Sequence, residues 1–143
     1  MEVMRVHVNL TGWLEVISGD RVVKMLPFDG TVDGPYFKGT ILQGGVDTQK
    51  TDTNGNGTLS ARYMIDGEDC EGNACRMFIE NNAPTNSTTT PTIITNSPAL
   101  KWLETANLQG RLEFPDGKLN IVIEMLGEKE DTIGMSDSSY GKA

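Results

Sequence analysis

Hydrophobic and polar positions alternate along most of this chain with a period of two. Met4, Val6, Val8 and Leu10 interleave with Val3, Arg5, His7 and Asn9, the pattern of a strand with one face on a core. Thr11-Gly12 leads into the apolar run 13–17, and Ser18-Gly19-Asp20 separates that run from 21–26. The segment 29–34 comes next, then the strand 36–42. Residues 46–53 and 58–65 flank Asn54-Gly55-Asn56-Gly57, a strong hairpin signal. Residues 58–65 and 74–80 read as strands on either side of a loop with two cysteines. The strands 107–114 and 118–126, split by Pro115-Asp116-Gly117, form a last hairpin. Only 98–105 offers helical turns, and 82–91 is a polar loop. About eight to ten short strands with turn residues between them predict one all-β domain, a barrel or a sandwich. That domain is expected to span 1–127. The stretch 128–143 lacks periodicity and bulk and is expected to form a flexible tail.

Composition narrows the picture. A chain of 143 residues is long enough to enclose one core. The formal net charge of −8, from 20 acidic and 12 basic residues, opposes nucleic acid and anionic membrane surfaces as partners. No apolar run is long enough for a transmembrane helix. The first residues lack the apolar core of a signal peptide, so a cytoplasmic location is expected. The three Asn-x-Thr sequons at Asn9, Asn56 and Asn86 then carry no meaning. Cys70 and Cys75 are expected to be reduced thiols; a disulfide between them would close a very short loop and add little entropy.

The familiar chemical signatures are weak. Residues 52–60 copy the front half of a calcium loop, with oxygen side chains at alternating positions and a glycine at the sixth. The twelfth position is Tyr63 where a bidentate glutamate belongs, so a β-hairpin turn is the reading. His7 is the only histidine, leaving little for a His-based triad, and no Gly-x-Ser-x-Gly elbow, P-loop or dinucleotide fingerprint is present. No metal and no cofactor is expected. What remains is a set of polar and aromatic residues in strand patterns. Asp47 leaves a tight Gly44-Gly45 turn at a strand end, where barrels place binding groups. Arg62-Tyr63 ends another strand, so one of the pair faces inward. Asn81 closes the next strand, and Trp102 follows a proline turn.

In order and spacing these segments resemble the domain-of-unknown-function 3237 family, also catalogued as uncharacterised protein family 0311. The carriers are Gly34-Pro35 with Gly39, Gly44-Gly45-Val46-Asp47, Ala61-Arg62-Tyr63, Met77 to Ala83, and Trp102-Leu103 followed by Gly110. The resemblance runs from the first strand to Met125. Thr48, Ala83 and Glu104 depart from the family's usual Trp, Gly and Asn. The resemblance implies a calycin-like (lipocalin-like), antiparallel up-and-down barrel with an interior cavity, and it brings no settled activity.

Three functions follow as expectations. The first is binding of a small, partly apolar organic molecule, with Tyr36, Phe37 and Trp102 as walls and Asp47, Arg62, Tyr63 and Asn81 as polar contacts. The second is a cofactor-independent isomerase, cyclase or lyase with Asp47 as acid/base and Arg62 or Tyr63 stabilising an oxyanion. The third is a pocketless protein-interaction domain. A homodimer is compatible with a small barrel.

Overall fold

A computed structural model describes residues 1–127 apart from Asn86; the expected tail, 128–143, lies outside the described residues. Ten strands follow one another as β1 (Glu2–Leu10), β2 (Leu14–Ser18), β3 (Arg21–Asp33), β4 (Phe37–Ile41), β5 (Val46–Asp52), β6 (Gly57–Asp69), β7 (Ala74–Pro84), β8 (Thr90–Thr95), β9 (Leu108–Glu113) and β10 (Leu119–Met125). All strand pairings among the described residues are antiparallel.

The ten strands occupy eight positions. β1 and β2 run along successive parts of β3, and β4 and β5 run along successive parts of its other edge. Each pair is one broken strand, interrupted at Thr11–Trp13 and at Leu42–Gly45. β3 itself continues for 13 residues through Pro27, so the segments 21–26 and 29–34 are one strand. Pro27 lacks an N–H, and it sits where both neighbours break, so little of the ladder is lost. The ring closes between β10 and β1 and, on the far side, through a two-way backbone pairing of Thr89 with Gly110. The architecture is an antiparallel up-and-down barrel.

Alternation decides what fills it. On β6 the inward positions are Leu59, Ala61, Tyr63 and Ile65, and on β7 they are Met77, Ile79, Asn81 and Ala83. At one end large side chains interlock: Val3, Met4, Val6, Phe37, Ile65, Met77, Ile79 and Ile123 are buried. The 3-10 helix Pro98–Glu104 plugs that end with Leu100 and Leu103, both buried. Polar bonds pin the plug. Ser97 donates its hydroxyl to Asp69 at 2.8 Å, and the Thr95 amide donates to Glu104 at 2.9 Å.

The asparagine-rich turn and the cysteine loop are one device used twice. Asp52 Oδ1 accepts the amides of Asn54 and Asn56, and Asp69 Oδ1 accepts those of Glu71 and Asn73. Both loops read Asp-x-x-Gly-Asn, with the glycine at φ +85° in one and +82° in the other. That left-handed conformation is what glycine tolerates without steric cost. Asp52 is therefore committed to a hairpin turn, as the sequence reading held. Cys70 is exposed, Cys75 is buried, and the two are free thiols.

Candidate functional site

Towards the unplugged end, the barrel interior changes character within one inward position, two residues, on β6, β7 and β9. Continuing inward from Tyr63 along β6 gives Ala61; from Ile79 along β7, Asn81; from Leu108 along β9, Gly110. On β5 the corresponding position is Asp47, paired across the sheet with Ala61, which is in turn paired with Asn81. Adjacent strands lie about 4.8 Å apart, so the Asp47 and Asn81 backbones stand about 10 Å apart with only a methyl group between them. This belt of small and polar residues leaves a cavity of about 470 Å³.

Its walls are Val8, Leu26, Phe28, Leu59, Leu119 and Ile121, and its rim carries Leu10, Leu112 and Phe114, which are exposed. Beneath the cavity the Tyr63 ring meets Phe28 edge-on, with centroids 5.2 Å apart. Burial pushes the Tyr63 phenol well above its ordinary range, so it stays protonated, and its hydroxyl has no protein partner.

Among the described residues, three polar atoms on the cavity are buried without a hydrogen-bond partner: Asp47 Oδ1, Asn81 Oδ1 and Thr89 Oγ1. Buried polar groups are nearly always paired, so three orphans on one cavity point to a ligand or ordered water. Asp47 uses its other oxygen to accept a 3.0 Å bond from the Gln49 amide. Burial raises the Asp47 pKa, and the Gln49 bond opposes that rise only in part. Asn81 is 3% exposed, and its side-chain oxygen has no hydrogen-bond partner among the described residues. A Cβ on Gly110 would run into the Thr89 hydroxyl and touch the Asn81 amide. Glycine at 110 thus lets Thr89 and Asn81 share one corner of the cavity.

The residues singled out from sequence separate into groups. Asp47 and Asn81 line the cavity, and Tyr63 lies below it. Arg62 does not join them. It is opposite Val46 on the outer face, with 63% of its side chain exposed and a 3.5 Å contact to Glu80. The alternation that turns Tyr63 in turns Arg62 out, so Asp47 and Arg62 do not form an acid/base pair. Phe37 is buried in the plugged core, and Tyr36 meets Trp102 edge-on at 5.1 Å outside the plug. None of these three aromatics lines the cavity; Phe28 and Phe114 are the aromatic side chains there. With this cavity inside the barrel, a pocketless domain no longer describes the protein.

The comparisons with known proteins agree on the fold. The family described as "Protein of unknown function (DUF3237)" matches residues 2–80, more than half of the chain and a span that holds Asp47 and Ala61. A solved structure from Clostridium acetobutylicum ATCC 824, a protein with unknown function, is 23% identical with a TM-score of 0.72, covering 86% of this chain and 93% of that one. A beta-barrel like protein from Acinetobacter baumannii AYE is 18% identical with a TM-score of 0.68, covering 88% and 94%. A structure described as an enzyme from Penicillium herquei is 16% identical with a TM-score of 0.63, covering 87% and 92%. Likeness at these identities is likeness of fold. No curated protein matches the chain.

Proposed function

We propose a function for this chain, which belongs to the DUF3237 family of unknown function: its barrel receives one small organic molecule, mostly apolar, with a polar end held by Asp47, Asn81 and Thr89. The observation that carries this reading is the coincidence of an apolar cavity with three unpartnered buried oxygens on its wall. A dry cavity lined only by hydrocarbon would be a packing defect; one with convergent polar atoms has the composition of a binding site. The volume suits a ligand of roughly drug-fragment size, within the range of about 300–1,000 Å³ typical of such pockets.

Native mass spectrometry of gently purified protein tests the reading. The expected result is a stoichiometric small molecule on the wild type that is lost from Ala61→Leu, whose longer side chain fills the notch. Equal occupancy of wild type and Ala61→Leu would place the ligand elsewhere and end this reading.

A second reading has one specific support. Burial raises the pKa of Asp47 while one of its oxygens stays unpartnered, and a carboxyl group so placed has a free oxygen with which to exchange a proton with a bound molecule. Asp47 then serves as the acid/base and the Asn81 amide or Thr89 hydroxyl as the polarising group, in a role that Arg62, on the outer face of the sheet, does not take. Loss of turnover in Asp47→Asn with retained ligand binding separates this reading from simple binding.

A further inference from the structure

The polar inventory of the cavity goes further than its existence. Two charged residues line it, Asp47 and Arg111. The Arg111 guanidinium is already engaged: its Nε donates to Glu124 at 3.0 Å and its Nη1 to Glu113. The nearest basic residue on the inward face of β3, Lys24, sits over the Trp13 ring at 5.0 Å and makes no ion pair with Asp47. Among the described residues, Asp47 therefore faces the cavity without a counter-ion. The orphaned atoms beside it are a carboxylate oxygen, an amide carbonyl oxygen and a hydroxyl oxygen. Two accept only, and the third accepts as readily as it donates.

A ligand presenting only acceptors leaves these oxygens unsatisfied, at the cost that attends any buried unpaired polar group. An anion meets the Asp47 charge with no cation to offset it. An ammonium group brings donors, no acceptor, and the missing counter-charge. The bond to a carboxylate is then charge-assisted, about twice as strong as a neutral one. The whole chain adds to this preference, because a formal net charge of −8 draws cations towards it and repels anions.

We propose that the cavity selects an organic amine: an apolar body in the barrel, its protonated nitrogen on Asp47, and a further donor of the same ligand accepted by Asn81 and Thr89. The inference rests on the cavity reading above and adds the charge class of the ligand.

Isothermal titration with a matched series at neutral pH tests it. The probes are 2-phenylethylamine, 2-phenylethanol and phenylacetate, which share a benzyl group and differ in the polar end. The amine is expected to bind about tenfold or more tighter than the alcohol, and phenylacetate weakest. In Asp47→Asn, an isosteric change checked for folding by its thermal melt, the amine should lose its advantage and bind no tighter than the alcohol binds to the same variant. Equal affinity of amine and alcohol for the wild type, or an amine preference that survives Asp47→Asn, overturns the amine assignment and leaves the cavity reading standing. If amine and alcohol bind no better to wild type than to Ala61→Leu, the cavity reading fails with it.

Discussion

The two ends of this barrel follow the same alternation and reach opposite results. At the plugged end the inward positions hold Phe37, Ile65, Met77, Ile79 and Ile123, with Leu100 and Leu103 driven in from the 3-10 helix. At the open end the inward positions hold Asp47, Ala61, Asn81 and Gly110, on β5, β6, β7 and β9. Strand geometry does not distinguish the ends; side-chain volume does. A barrel of about eight strands has an interior that large side chains just fill, so a single belt of small ones suffices to open a cavity. One end is therefore packed for stability, and the other gives up packing and hydrogen bonds and leaves a cavity.

The sharpest break between the ends should appear on truncation. Leu103→Ala removes a buried plug side chain and should cost about 2–5 kcal/mol in denaturant unfolding. Leu112→Ala, at the exposed rim, should stay within about 0.5 kcal/mol. Comparable losses at both positions would remove the distinction. Ala61→Leu should behave in the opposite sense to a core overpacking mutation. It should hold stability within about 1 kcal/mol, because the added methylenes enter free space, and abolish binding of the neutral probe 2-phenylethanol. The equivalent enlargement at the plugged end, Val6→Phe, should cost about 1–3 kcal/mol.

Asp47 sharpens the comparison through pH. Its folded-state pKa is raised by burial, so the protonated form favours folding and that contribution is lost as pH rises through the folded value. Asp47→Asn should therefore raise the apo protein's unfolding free energy at pH 7 by on the order of 1 kcal/mol, read as a higher melting point, and the gain should vanish below the ordinary carboxylate range. A binding site carrying such a charge is less stable than its neutral variant until a ligand arrives. Asp69, at the plug, has the opposite sign. The Ser97 hydroxyl, with the Asn73 and Glu71 amides, lowers its pKa, so its contribution is present above the unfolded value and is lost as pH falls through the folded one. Asp69→Asn should flatten the acid limb of the stability profile and leave the neutral limb's shape unchanged, the smallest effect of the set.

How much of this was legible in the sequence follows from the kind of information each feature needs. The barrel was legible because period two survives in nearly every segment and turn residues mark the hairpins. Asp47 and Asn81 stood out because each sits beside a strand boundary that the pattern marks. The pair Arg62-Tyr63 could be resolved to one inward residue, but which one depends on the register with β5, a long-range pairing. Ala61 and Gly110 gave no chemical signal of their own; their meaning lies in being small at the level where Asp47 and Asn81 point inward. Thr89 needed the Thr89–Gly110 closure, which no local pattern announces. The aromatics Tyr36, Phe37 and Trp102 were visible, but which end of the barrel they serve is set by where the 3-10 helix docks.

Amide chemical-shift mapping of the 15N-labelled protein during titration with 2-phenylethylamine tests the central claim most directly. The largest changes are expected at Asp47, Ala61, Asn81, Thr89 and Gly110, with little movement at Tyr36, Ile65 or Trp102. Changes centred on Tyr36 and Trp102, with the belt around Ala61 unmoved, would place the site at the other end of the barrel and contradict it.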